Sequence, residues 1–366
     1  MTTVFSKAPL RMALAGGGTD LHAYYSKHGG AVLNVTIDKY AYCKVEPYRT
    51  FCFSSIDLVK QEAYDPQSFH RDYVSTDLKL LINTYQYFTK DLEYRFPVKI
   101  TTYVEAPPGS GLGSSSALVV ALVAAITEYY GIPMGEYDIA DAAVEIERSI
   151  CKLPGGKQDQ FAAAFGGFNF IEFLKDGKTI VNPLRLSSRI KNMMELNTIL
   201  FYVGSRKDTR VIETTSKNLN SFWDKKVVNA THKIKDACIE YKKSLLKGDY
   251  DNIAKLMIAY WESKLETNPD VATLEIKQTY KWIRYWGAKA AKISGAGGGG
   301  HMVLFTTYED RQKLINNLPP EGAMMRGPEM LLPKDSPERI AVLQLPPGGK
   351  IVPFKFVDNG VEVWQQ

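Results

Sequence analysis

Two rhythms of apolar and polar residues run along this chain. From Ala31 to Pro47 the run AVLNVTIDKYAYCKVEP is rich in β-branched and aromatic residues, which suit a pleated sheet better than a helix. Residues 51–65 and 97–105 read in the same way. Between them Leu78, Leu80, Leu81, Tyr85 and Phe88 recur at roughly helical spacing and predict a helix near 75–90. The segment from Ser114 to Tyr130 is apolar almost all round, opens on three serines and stops at Gly131 before Pro133, so it reads as a buried helix with both ends signalled. A further helix is expected over about 136–151, with Glu145, Glu147 and Arg148 near its end and the loop KLPGGK after it.

Segments 168–173 and 198–203 again read as strands, and the polar stretch 182–192 between them is a plausible boundary; we divide the chain into domains 1–185 and 186–366. The second half then turns helical. Residues 211–247, 251–266 and 271–286 carry apolar positions at three- and four-residue intervals, punctuated by Gly248, Pro269 and Gly287. A short strand, AAKIS, leads into SGAGGGG and out through a second one, HMVLFTT. The tail from 318 to 366, rich in proline and ending FKFVDNGVEVW, fits neither rhythm.

A length of 366 residues suits two domains, and 45% hydrophobic with 23% charged residues is the balance of a folded chain rather than a disordered one. The formal net charge of +5 is too small and too dispersed to indicate a nucleic-acid partner, although it suits an anionic ligand. Cys43, Cys52, Cys151 and Cys238 are scattered without a C-x-x-C pair, which fits a reducing cytoplasm. His22, His28, His70, His232 and His301 never cluster, so a histidine-based metal site is not expected. Neither an export signal nor a membrane span is read from the sequence.

Four constellations carry candidate chemistry. The first is APPGSGLGSSSA, residues 106–117, directly before the buried helix. Glycines let a backbone approach a ligand closely, and a helix N-terminus offers unpaired N–H groups and the positive end of a dipole, so a phosphate belongs there. Ser114, Ser115 and Ser116 can cap the helix, donate to phosphate oxygens or help hold a divalent cation. The second, KISGAGGGGHMVLF, holds a formal G-x-G-x-x-G at Gly295, Gly297 and Gly300, but it exits into a strand where a dinucleotide-binding fold needs a helix. A glycine hairpin packed against a nucleotide or against the phosphate helix is the better reading. No G-x-x-x-x-G-K-[ST] occurs. The third, PLRMALAGGGTD at 9–20, is either a strand with a tight turn or a backbone that brings Asp20 close to a polyhydroxylated ligand. Finally, Glu147 and Asp159 stand twelve positions apart around KLPGGK, and phosphoryl transfer needs both a metal site and an acid near the attacking hydroxyl.

In this order along the chain, the segments resemble the GHMP kinase family, which includes galactokinase and the homoserine, mevalonate and phosphomevalonate kinases. PPGSGLGSSSA resembles its phosphate loop, SGAGGGG its third motif and APLRMALAGGGTD its first. The resemblance implies an α/β (α+β) two-domain fold: an N-terminal domain like ribosomal protein S5 domain 2 and a ferredoxin-like C-terminal domain, with ATP between them. GGGTDLHAYYSKHGGAVLNVTIDKYAY and GGKQDQFAAAFGGFN look most like the sugar-phosphate members, heptose 7-phosphate kinases above all, which phosphorylate the anomeric hydroxyl.

The resemblance also assigns residues. It makes Asp159 the acid that deprotonates or orients the hydroxyl and Arg11 the basic residue on the hydroxyl or the transferring group. Glu147 and Ser115 become ligands of Mg2+. ATP falls to Pro108, Gly109, Gly111, Leu112, Gly113, Ser114, Ser115 and Ser116 with Gly295, Gly297 and Gly298, and the sugar to Gly17, Gly18, Thr19, Asp20 and Gln158. Where galactokinases carry Gly-Glu-His-Thr-Asp, this chain has Gly16 to Gly18, then Thr19 and Asp20, which leaves room for a longer sugar. A substrate phosphate would need a cationic pocket, for which Arg206, Lys207, Arg210 and Lys157 are candidates. An unphosphorylated hexose as substrate, a non-catalytic sensor of ATP and sugar, and an unrelated nicotinamide dehydrogenase are the rival readings. The oligomeric state stays open, a homodimer included.

Overall fold

The computed structural model describes residues 2–69, 72–92, 95–204, 210–220, 225–318 and 349–366. In chain order the elements of the first half are β1 (Val4–Ala15), α1 (His22–His28), β2 (Gly30–Pro47), β3 (Phe51–Ser55), β4 (Lys60–Tyr64), α2 (Lys79–Thr89), β5 (Val98–Val104), α3 (Ser114–Tyr130), α4 (Glu136–Val144), α5 (Gln158–Phe165), β6 (Phe168–Phe173) and β7 (Thr179–Pro183). The second half adds α6 (Ser188–Asn197), β8 (Thr198–Tyr202), α7 (Arg210–Asn220), α8 (Lys225–Lys247), α9 (Tyr250–Thr267), α10 (Leu274–Tyr285), β9 (Ala290–Ile293), β10 (His301–Phe305), α11 (Tyr308–Asn317), β11 (Lys350–Val352) and β12 (Glu362–Gln365).

These form two sheets. The larger runs β12-β1-β2-β5-β3-β4, with β6 also on β2 and β7 beyond β6; all its pairs are antiparallel except β3 with β5. The smaller runs β11-β8-β10-β9, all antiparallel. β2 explains why one strand reads in two ways. Gly30 to Ile37 are buried without alternation, whereas Ala41, Cys43 and Val45 alternate with half-exposed neighbours, because both α3 and α8 pack on this strand. Helix α3 is buried from Ala117 through Thr127, as its all-round apolar surface requires.

The tail after residue 349 has a definite place. β11 edges the smaller sheet, the chain then crosses to the larger one where Phe356 bridges Ile37, and β12 ends beside β1 with Trp364 stacked on Phe5. On the way, Gly360 lies so close to α5 that a Cβ would stand 2.0 Å from the Ala164 carbonyl oxygen. The last strand of the chain thus belongs to the sheet that the first strand begins. Within 136–151 the helix changes to a π turn over Glu145–Ile150, closed by the Cys151 N–H donating to the Ile146 carbonyl at 2.8 Å.

Candidate active site

The phosphate loop ends at Gly113, whose φ of 75° is left-handed, and no side chain caps α3. The serines expected as caps are therefore the first residues of the helix, and among the described residues no side chain accepts from its leading N–H groups. Instead Ser115 Oγ donates to Glu147 Oε1 and Ser116 Oγ to Glu147 Oε2, both at 2.7 Å. Gln160 Nε2 donates to the same Oε2 at 2.6 Å, and Arg148 lies 3.3 Å from Oε1. The π turn is what swings Glu147 onto the start of α3, where it is 2% exposed.

Beside this group, Arg11 from β1 grips Asp159 from α5 with two parallel bonds, Nε to Oδ1 at 2.8 Å and a terminal nitrogen to Oδ2 at 2.7 Å. Its other terminal nitrogen donates to the Gly111 carbonyl at 2.7 Å, which ties the pair to the phosphate loop. At Gly113, with φ +75°, a Cβ would come within 3.2 Å of Asp159 Oδ2 and press on the pair. The GGGTD turn is held from behind: Thr19 Oγ1 lies 2.8 Å from the carbonyls of both Gly16 and Ala31, which share its single O–H, and receives the Ala31 N–H at 3.0 Å. Thr19 is thus a staple of the turn, fully buried, rather than part of the cleft wall. Asp20 Oδ1 accepts from the Gly18 N–H at 2.9 Å and Oδ2 from Gln158 Nε2 at 3.0 Å. Gln158 Oε1 is buried with no hydrogen-bond partner among the described residues, on a residue that lines the cleft.

The two glycine loops meet backbone to backbone. The His301 N–H donates to the Ser110 carbonyl at 2.9 Å, and a Cβ on Gly300 would stand 2.4 Å from that oxygen. The smaller sheet also clasps β1 at Ala13, whose N–H donates to Ser294 Oγ at 3.3 Å and whose carbonyl accepts from Lys292 Nζ at 2.6 Å. Lys292 is fully buried, 5.0 Å from the Tyr260 ring centroid. Burial, then the charges of Arg11 and Lys264, depress its ammonium from the ordinary 10.5 to about 7. Between these values the unfolded chain binds more protons than the folded one, so this residue makes stability rise with pH from about 7 upward and weakens the fold below it. Lys292→Met should therefore raise stability at neutral pH by about 2 kcal/mol, seen as a higher thermal midpoint, and flatten the rise above it; melting curves across pH check both.

A cleft of about 370 Å³ collects these parts. Its walls include Arg11, Gly17, Gly18, Asp20, Gln158 and Asp159; Pro108, Gly109, Gly111, Gly113 and the three serines; and Glu147 and Gly295. Leu112 is not among them because its side chain is buried in the core, and Gly297 and Gly298 pack instead on the turn at Val271. Lys157 turns away, its ammonium donating to the Gly177 carbonyl at 3.0 Å and lying 5.0 Å from the Tyr25 ring centroid. Arg206 and Lys207 lie outside the described residues, and Arg210 opens α7 in an exposed position. The reading of the sequence does not pick out Lys264 of α9 or Ile212 and Thr215 of α7, which also line the cleft. The signal for Lys264 was there: it falls on the stripe Ile253, Met257, Tyr260, Lys264, Thr267, a lysine among buried positions.

Such a site, an uncapped helix start with an acid and a guanidinium in reach, belongs to a class of phosphate-handling α/β enzymes. The sequence matches the GHMP kinases N terminal domain over residues 79–167 and the GHMP kinases C terminal domain over 241–322. It is 37% identical over 323 residues, 87% of this chain and 94% of the relative, to a D-glycero-alpha-D-manno-heptose 7-phosphate kinase from Campylobacter jejuni. A galactokinase from Thermosipho africanus is 27% identical over 85% of this chain and 92% of its own. The crystal structure of a D-glycero-D-manno-heptose 1-phosphate kinase from Bacteroides thetaiotaomicron superposes with a TM-score of 0.74 at 32% identity, covering 99% of this chain and 98% of that one. This chain belongs to the GHMP kinases, and its two-domain α/β fold is theirs. The formal dinucleotide match at Gly295 to Gly300 is accordingly a hairpin that braces the phosphate loop. Among the described residues, no helix is long and apolar enough to cross a membrane.

Proposed function

We propose that this ATP-dependent sugar kinase transfers the terminal phosphoryl group of ATP to the anomeric hydroxyl of D-glycero-D-manno-heptose 7-phosphate. The product is the 1,7-bisphosphate, whose anomeric phosphate is the handle needed for later coupling to a nucleotide. The observation that carries this reading is the Arg11–Asp159 pair, bonded to the phosphate loop and sharing one cleft with Asp20 and Gln158. It is supported by the 37% identity to a heptose 7-phosphate kinase along 94% of that relative.

The uncapped start of α3 and the glycine loop receive the β- and γ-phosphates of ATP. Asp159 keeps lone pairs beyond the two bonds from Arg11, and with them it accepts or orients the proton of the attacking hydroxyl. Arg11 is placed to share its charge between Asp159 and the group in transit. Asp20, already fixed by Gly18 and Gln158, and the free Oε1 of Gln158 receive sugar hydroxyls. Ser115 Oγ and Glu147 Oε1, two hard oxygen donors 2.7 Å apart at the cleft, suit magnesium, which takes one or two protein oxygens and completes its shell with phosphate and water. Bound there, Mg2+ would neutralise charge on the phosphates.

Magnesium ATP, the protein and a panel of hexoses, heptoses and their terminal phosphates, followed by phosphorus NMR, test the proposal. A new anomeric phosphate on heptose 7-phosphate is the expected result. Preference for an unphosphorylated hexose, or a phosphate at another carbon, overturns it.

A further inference from the structure

Three cationic side chains line the cleft among the described residues, and two of them are already committed. Arg11 is spent on Asp159 and the Gly111 carbonyl, and Arg148 on the carbonyls of Leu153 and Gly156 and on Glu147. Lys264 is different. Only 5% exposed, it reaches from α9 to the GGGTD turn, where its ammonium donates to the Gly17 carbonyl at 3.1 Å. An ammonium has three N–H donors, so this bond leaves two unused.

Among the described residues, no carboxylate in bonding contact offsets its charge. Asp20, the acid nearby in the electrostatics, directs its oxygens to Gly18 and Gln158. Fully buried Lys292 lies close enough to feel Lys264 as a second positive charge. Burial accordingly pushes the Lys264 ammonium below its ordinary range. A desolvated cation with spare donors, facing a ligand cleft, is costly unless an anion completes it. The turn is also cut to admit it: Gly18 has φ +104°, and a Cβ there would stand 3.1 Å from Nζ. The ammonium touches this turn and not the phosphate loop, which places it at the sugar's part of the cleft rather than at the nucleotide's.

We propose that Lys264 receives the phosphate that the sugar substrate already carries, and so makes the enzyme select phosphorylated over unphosphorylated sugars. This rests on the heptose 7-phosphate reading above and adds to it the residue that distinguishes the two kinds of sugar. The anion supplies the missing partner for a buried charge, and the ammonium supplies two donors to a group with three acceptor oxygens.

The test compares wild type, Lys264→Met and Lys264→Arg in initial-rate assays with magnesium ATP and either D-glycero-D-manno-heptose 7-phosphate or the unphosphorylated heptose. In the methionine variant the KM for the heptose 7-phosphate should rise about ten- to a hundredfold, the scale of one charged hydrogen bond to phosphate. The KM for ATP should stay within about twofold, the KM for the plain heptose should rise clearly less than that for the heptose 7-phosphate because only the bond to the Gly17 carbonyl is lost there, and Lys264→Arg should recover part of the loss. Should Lys264→Met fail to fold, Lys264→Gln keeps a donor for the Gly17 carbonyl while removing the charge and takes its place. An unchanged KM for the heptose 7-phosphate, or equal losses on both sugars, overturns the role of Lys264 and leaves the proposed reaction standing. A wild-type enzyme that does not act on the heptose 7-phosphate overturns the reaction, and this role with it.

Discussion

Asp159→Asn should lower kcat by at least about a hundredfold, the range of acid-base contributions, while the KM for ATP changes little. The reason lies in the pairing with Arg11. Both carboxylate oxygens accept from the guanidinium, and an amide can present an oxygen to only one of those N–H groups. Its NH2 would face the other donor, so Arg11 must shift and release the Gly111 carbonyl that it holds at 2.7 Å. The variant thus loses the group that meets the hydroxyl and the alignment of its neighbour together, and the two losses need not add independently. ADP release in the presence of sugar, measured on protein with an unchanged thermal midpoint, gives the answer. Equal rates in the two proteins would remove Asp159 from the mechanism.

Comparable damage is expected from a single methyl group added where the phosphate loop meets the glycine hairpin. In Gly111→Ala the new Cβ would stand 2.5 Å from the Ser294 carbonyl, and φ at this position is +76°, a region where side chains are strained. That contact is with backbone and not with a flexible side-chain end, so the phosphate loop and the glycine hairpin must move apart. A misplacement of about 1 Å in a loop that positions reacting groups costs on the order of a hundredfold, and kcat/KM for ATP should fall by that much. Gly131→Ala is the control. Its φ of +68° is also left-handed, but no atom lies within 4 Å of the new Cβ, so it bears backbone strain alone. It should lose about 1 kcal/mol of stability and keep its kinetics. If Gly111→Ala keeps wild-type kinetics as well, close packing of the two loops does not govern nucleotide use.

Which parts of this molecule the sequence carries follows from how far apart the interacting residues are. The helix Ser114–Tyr130 is legible to the residue because its signals are local: an apolar surface on every side, serines at one end and glycine at the other. The strands Phe168–Phe173 and Thr198–Tyr202, one in each sheet, are nearly as clear. The helix beginning at Ser188 was hidden in a polar stretch, since only one side of it is covered, and its buried positions are Met194 and Asn197. The tail could not be read at all. Phe356 and Val361 gain their meaning from Ile37 and Ala164, more than 190 positions away, and no local rhythm records such a partner.

At the site the division is the same. The chain by itself determined that a glycine- and serine-rich loop precedes a buried helix, that acids stand at 147 and 159, and that a second glycine run turns back into a strand rather than opening a helix. Those patterns were enough to mark a phosphate-binding loop, because the motifs are contiguous and the backbone conformations they permit are few, and their resemblance to the GHMP kinases supplied the kinase. Only the folded structure decided which groups face one another. It set Ser115 and Ser116 on Glu147 through a π turn, turned Thr19 and Lys157 away from the cleft, and brought Lys264 into it. Each of these depends on side-chain direction and on packing between distant segments, and a buried lysine looks like any other lysine until the surface that covers it has been assembled.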